Sequence, residues 1–179
     1  YAAKKLQTAI DAVAAAYAVI PAYPSNDKNS AIAWYYIKYS ESNKYLSVER
    51  SAKRYVSYMM HTETSKEEAD DYMLWAFLPT GNENEYYIFN AGTGCALFGS
   101  SYLEAMGSGA AQPYTLALDT AKLSFTIGNG ESFIYGTGTY PKLNTKANYY
   151  SLEKTFESDN ALLASLDGEP MGRKIYGKV

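Results

Sequence analysis

Residues able to do covalent or acid–base chemistry are scarce in this chain. It holds one histidine, His61, and one cysteine, Cys95. His61 lies in MMHTET at the end of a predicted strand with no Ser or Cys motif to serve, so it reads as a surface or partly buried histidine. Cys95 has no cationic neighbour to lower its pKa and reads as a small packing residue. A lone cysteine excludes a disulfide within the chain, and one Cys with one His cannot build a clustered zinc site. The densest acidic run, KEEADD (66–71), lacks the alternating aspartates and glycine of a calcium loop and reads as a solvated loop. AGTG (91–94) and YGTGTY (135–140) are glycine-rich, but no helix and lysine follow them, so they read as turns. Glu49, Glu104 and Glu131 offer carboxylates for glycoside hydrolysis, yet nothing singles out a pair. No nucleophile, base and oxyanion hole assemble, and no cofactor or metal motif is found, which points away from an enzyme.

Tyrosine, by contrast, is abundant, with 19 of 179 residues. It favours strands, and its surface is apolar on the ring and polar at the hydroxyl. Exposed tyrosines with Asn, Glu or Lys nearby are what a carbohydrate face needs. The formal net charge is -3 with lysines and arginines scattered, which argues against a nucleic-acid or anionic-membrane partner, since both need a basic stripe. No apolar run reaches the roughly 18 residues of a membrane span. Length and a hydrophobic content of 47% suit one domain, or one domain with an appendage.

Two materials make up the chain. In YAAKKLQTAIDAVAAAYAVIP, Leu6, Ile10, Val13, Tyr17 and Ile20 recur at steps of four and three, on one side of an α-helix that Pro21 ends. The stripe is narrow, like a coiled-coil seam, and predicts docking on one partner surface. Lys4 and Lys5 stand at the start, where the helix dipole disfavours cations, and no capping residue precedes them. A helix beginning further upstream in a longer parent chain accounts for both. PAYPSNDKNSA (21–31) reads as a loop, so residues 1–32 form an N-terminal helix and linker.

From Trp34 onward the period changes to two. Tyr35, Ile37 and Tyr39 share one face of a predicted strand, SESN turns the chain, and KYLSVE makes a second strand. Fifty-one residues later the order returns: Tyr86, Tyr87 and Ile88 match Tyr35, Tyr36 and Ile37, while Ala96 and Leu97 match Tyr45 and Leu46. A further 37 residues on, Leu123, Ser124 and Phe125 occupy the Tyr-Tyr-Ile positions, and Phe133 to Gly136 parallel Ala96 to Gly99. Each copy closes with another strand: YMLWAFL (72–78), PYTLAL (113–118) and YYSLE (149–153). Three units of about four strands are too few and too irregular for a propeller, and none can bury its own apolar face. The predicted fold is all-β: a β-trefoil of three pseudo-repeats over 33–155, preceded by one α-helix. A β-sandwich also uses short alternating strands but does not explain the threefold spacing. Residues 156–179 are expected to pack back on the barrel or to lead into a further domain.

A trefoil presents ligands on its hairpins and variable loops. The aromatic residues there are Tyr55, Tyr102 and Tyr140, with Arg54, Glu104 and Asn144 beside them. Tyr102 and Tyr140 nearly correspond between copies. These six are the candidate ligand-binding residues, weighed against tyrosines that merely cap a small barrel.

Residues 90–97 (NAGTGCAL), 40–46 (SESNKYL) and Met73-Leu74-Trp75 resemble the ricin-type β-trefoil lectins, whose repeats carry N-x-x-T/S-G-K-x-L and end in Gln-x-Trp. Met73 replaces the glutamine, and the later Gln-x-Trp positions read Tyr114-Thr115-Leu116 and Tyr150-Ser151-Leu152. The resemblance implies a non-catalytic carbohydrate-binding module of a larger secreted or cell-surface bacterial protein. Its implied partners are a glycan or polysaccharide and neighbouring domains of the parent chain. In that family an aspartate on the second strand accepts hydrogen bonds from two sugar hydroxyls. The matching positions here are Ser47, Phe98 and Tyr135, none of them acidic, so a sugar site would be relocated. The alternatives are a protein-interaction or spacer domain with no sugar site, and a trefoil protease inhibitor, which needs a rigid projecting loop.

Overall fold

The computed structural model describes residues 1–60 and 71–158. His61, residues 66–70 of the acidic run and residues 159–179 lie outside the described residues. Helix α1 spans Ala2–Val19 and ends ahead of Pro21, as the periodicity predicts. Leu6, Ile10, Val13 and Ile20 are all exposed, so this stripe meets no surface among the described residues.

Twelve strands follow among the described residues: β1 Ile32–Tyr39, β2 Lys44–Val48, β3 Val56–Met60, β4 Leu74–Pro79, β5 Glu85–Asn90, β6 Ala96–Gly99, β7 Leu103–Met106, β8 Pro113–Asp119, β9 Ser124–Asn129, β10 Ser132–Tyr135, β11 Lys142–Asn144 and β12 Tyr150–Ser158. The pairs β1–β4, β4–β5, β5–β8, β8–β9, β9–β12 and β12–β1 close a six-stranded antiparallel barrel. The pairs β2–β3, β6–β7 and β10–β11 form three hairpins outside that ring. Four strands repeated three times, half in a barrel and half in hairpins, make a β-trefoil.

Register shows why three copies must fold together. Within the copies, Tyr35 faces Trp75, Tyr86 faces Tyr114 and Phe125 faces Tyr150. Between copies, Phe77 faces Ile88, Leu116 faces Ile127 and Leu152 faces Ile37. These twelve side chains fill the barrel, and all but the partly buried Leu152 are buried. Burial of a large apolar side chain contributes about 1.5–3 kcal/mol, so no copy alone can cover its share. Along β1 and β4 the alternate residues are buried as well: Ile32, Trp34, Leu74 and Ala76 form a second cluster with Phe89, Ala91 and Ala96.

The same registers correct two sequence alignments. The third copy of Tyr-Tyr-Ile is Phe125-Thr126-Ile127, two residues later than predicted, because Phe125 and Ile127 are the buried apolar side chains of β9 that enter the core. Leu123 instead sits in the preceding turn at φ 50°. The β9–β10 turn is correspondingly tight: Asn129 pairs with Ser132, and Gly130 takes φ 60°, which glycine adopts without penalty. The second correction concerns the closing strands. Tyr114 and Tyr150, not Leu116 and Leu152, occupy the place of Trp75, so Met73-Leu74-Trp75 matches Gln112-Pro113-Tyr114 and Asn148-Tyr149-Tyr150. Gln112 Oε1 accepts from Gly99 N (2.9 Å), and Asn148 Nδ2 donates to Gly136 O (2.7 Å). Both amides tie a hairpin to the following barrel strand at matching positions.

The AGTG segment is a buried turn, as expected. Asn90 Oδ1 accepts from Thr93 N at 3.2 Å, Asn90 Nδ2 donates to Tyr72 O at 2.8 Å, and Gly94 holds φ 65°. Cys95 packs against the barrel core, and burial raises its thiol pKa. The barrel mouth opposite the hairpins is met by the linker. Tyr86 Oη donates to Pro24 O at 2.7 Å, Leu118 N donates to Tyr23 Oη at 2.9 Å, and the Tyr23 ring meets Phe125 edge-on at 5.0 Å.

Candidate functional site

The three hairpins gather at one end of the barrel and hold one another there. Ala105 N donates to Arg54 O at 2.7 Å, joining the second hairpin to the first. Tyr58 N donates to Thr139 O at 2.8 Å, joining the first to the third. A side chain added at Gly99 would lie 2.4 Å from Leu143 Cδ1, so the third hairpin leans directly on the second.

Within this ring the register makes Tyr55, Tyr102 and Tyr140 equivalent. Val56 faces Val48, Leu103 faces Gly99, and the buried Pro141 lies against Gly136, so each tyrosine stands one residue before the matching inward residue. All three rings are exposed, at 36%, 54% and 47%. Tyr55 and Tyr102 meet edge-on with centroids 6.1 Å apart. Their hydroxyls bond to nothing among the described residues. The Tyr140 hydroxyl donates to Glu49, and that bond holds its pKa above the usual phenol value.

Arg54 and Glu104 complete the cluster. Arg54 Nε donates to Glu104 Oε1 at 3.1 Å, with the Glu104 side chain only 10% exposed and that of Arg54 56% exposed. The guanidinium lies 5.5 Å from the Tyr55 ring centre. Tyr55 and Glu104 form a bridge between the hairpins, which fixes the ion pair across the two copies. Five of the six sequence candidates therefore meet on one face. Asn144 stands apart from it: at the end of β11 its Oδ1 accepts from Lys146 N (3.0 Å) and Thr145 Oγ1 (3.4 Å).

Two further residues belong to the face. Glu49 reaches it through Tyr140, and Lys53 holds the turn between β2 and β3 at φ 51° with its N–H on Glu49 O at 2.7 Å. The RSAKR turn (50–54) signals a charged tip in sequence, but only hairpin packing brings Glu49 against Tyr140, 91 residues away. At the positions where ricin-type lectins carry aspartate, Ser47 is buried and its hydroxyl donates to Val48 O (3.1 Å) and Tyr72 O (3.3 Å), while Phe98 and Tyr135 are partly buried. Among the described residues, no group of three His, Cys, Asp or Glu side chains is placed to hold a metal.

No family model matches the chain, and no curated protein matches it. Solved structures do. Polyporus squamosus lectin is 16% identical with a TM-score of 0.54, over 70% of this chain and 50% of the lectin. An endo-β-galactosidase from Clostridium perfringens is 14% identical with a TM-score of 0.56, over 69% of this chain and 33% of the enzyme. A chain of the Haemophilus ducreyi cytolethal distending toxin is 12% identical with a TM-score of 0.52, over 70% of this chain and 86% of that one. This chain thus spans about half of the lectin and a third of the galactosidase. What these structures share with this chain is the β-trefoil fold, and at these identities the likeness concerns the fold alone.

Proposed function

We propose that this chain is a non-catalytic carbohydrate-binding module of a larger secreted or cell-surface bacterial protein, and that the hairpin face is its binding surface. The observation that carries the reading is the set of three register-equivalent, exposed tyrosines gathered with Arg54, Glu104 and Glu49. Aromatic faces stack on pyranose rings, and polar groups around them meet the hydroxyls. The structural neighbours support a sugar ligand: the Polyporus lectin is seen with a sialylated oligosaccharide, and the Clostridium enzyme releases GlcNAcα1-4Gal. Asn144, outside the cluster, contributes at most to a rim. A glycan array with the protein and its Tyr102→Ala and Tyr140→Ala variants tests this. Selective binding that both variants weaken is expected. A blank array, or binding that neither variant alters, would falsify the assignment.

A second reading, a protein-interaction or spacer domain, is favoured by one observation. Helix α1 leaves Leu6, Ile10 and Val13 exposed along one stripe, the arrangement of a docking helix. If that is its main role, Leu6→Lys and Val13→Lys abolish capture of the adjoining part of the parent chain and leave sugar binding unaltered.

A further inference from the structure

We infer that the hairpin face selects an acidic sugar, the carboxylate meeting Arg54 and the ring lying over Tyr102; this rests on the carbohydrate reading above. The chain carries a formal charge of -3, yet the turn 50–54, RSAKR, holds three cations within five residues; Arg50 lies over the Tyr72 ring, while Lys53 and Arg54 stand at the edge of the face. The facing carboxylates are Glu49 and Glu104, and both are engaged, Glu49 by Tyr140 and Glu104 by Arg54.

Arg54 is held in a particular way. Glu104, nearly buried on β7, takes only the Nε–H, and the Tyr55 ring lies against the guanidinium. Both Nη groups, with four N–H donors, remain without a protein partner among the described residues. A guanidinium that served only to neutralise Glu104 would present two nitrogens to that carboxylate and would be covered. Here it is 56% exposed and bound through one nitrogen. A planar fork with its Nη edge open is the geometry that receives a carboxylate through two parallel hydrogen bonds. The adjacent aromatic surface is Tyr102, 54% exposed, its ring 6.1 Å from Tyr55 and its hydroxyl without a partner among the described residues. A uronic or sialic-acid residue combines a carboxylate with a ring of the right size for those two neighbours. Lys53 adds a second positive charge at the same turn.

The experiment is an array of neutral, sulfated, uronic-acid and sialylated oligosaccharides, with each carboxylated member printed also as its methyl ester. Esterification removes the charge and keeps the ring. The expected result is binding to carboxylated members, weakened about ten-fold or more in the esters. Arg54→Lys keeps a cation beside Glu104 but loses the fork, so it should remove most of the acid-over-ester preference while the protein stays folded by circular dichroism. Tyr102→Ala should weaken acid and ester alike. Equal binding of acids and esters, or binding to neutral glycans alone, overturns the acidic selectivity and leaves the carbohydrate reading standing. Preference for sulfated members with no carboxylate binding overturns the carboxylate and keeps the anion. A blank array removes both readings.

Discussion

Two sets of three aromatic residues follow the same threefold symmetry and have opposite fates. Trp75, Tyr114 and Tyr150 are buried in the barrel, while Tyr55, Tyr102 and Tyr140 are exposed on the hairpins. In the barrel the polar end of each ring returns to the protein. Trp75 Nε1 donates to Leu46 O at 2.9 Å, Tyr114 Oη donates to Gln112 at 3.3 Å, and Tyr150 Oη meets Tyr58 Oη at 2.5 Å. On the hairpins the hydroxyls of Tyr55 and Tyr102 find no such partner among the described residues. A buried phenol must be satisfied, whereas an exposed one keeps its donor for a ligand. The difference lies in register, since residue type is nearly constant.

That contrast can be broken at several points. The largest effect is expected from alkali. Burial raises the pKa of Tyr86 to about 12, and those of Tyr114 and Tyr150 also lie above the ordinary value of 10 because of burial. A folded-state pKa above the unfolded one leaves stability intact below pH 10. Between pH 10 and 12 the unfolded chain ionises while the native barrel does not, at about 1.4 kcal/mol per pH unit for each such tyrosine. Urea midpoints should therefore hold to pH 10 and then fall steeply, and a flat profile to pH 12 would show that these hydroxyls are not protected.

Next comes Tyr150→Ala, which should destabilise the fold by about 3–5 kcal/mol through the cavity it leaves and the loss of the Tyr58 contact. Tyr23→Ala follows, at about 2 kcal/mol, since it removes the ring against Phe125 and the acceptor for Leu118 N. A cost near zero would mean that the linker is not part of the barrel floor. Gln112→Ala leaves Gly99 N–H unpaired and should cost about 1–2 kcal/mol in the same urea titration. Smallest in stability is Tyr102→Ala, within about 0.5 kcal/mol, because the ring is exposed. Yet it should be the variant of this series that most weakens ligand binding. A stable Tyr102→Ala protein with unaltered binding would dissolve the contrast between the two sets.

Much of the barrel was legible in the chain. Tyr35 and Ile37, Tyr86 and Ile88, and the closing strands stand out because period-two burial leaves its mark on residue type. The third copy misled because Leu123-Ser124-Phe125 copies the pattern two residues early, and the two-residue shortening of its turn has no signature until strands pair. The Gln112 and Asn148 positions were missed for a related reason: in PYTLAL and YYSLE the tyrosine is the tryptophan's counterpart, and alignment to Trp75 by hydrophobicity picks leucine. On the site side, Tyr102 and Tyr140 were visible as near-equivalents, and Tyr55 joins them in the paired register. Asn144 was drawn in by proximity in sequence and is separated by the length of β11.

The chain by itself determined that the fold would be three hairpin units sharing a core, because no unit holds enough apolar surface to fold alone. It also determined that tyrosine would carry both the packing and the surface. Only tertiary structure decided which tyrosines do which. Hairpin docking sets Arg54 against Glu104 across 50 residues and Tyr140 against Glu49 across 91, and brings Tyr55 to within 6.1 Å of Tyr102. Contacts of that range follow from how closed strands align, and no local pattern of residues encodes them.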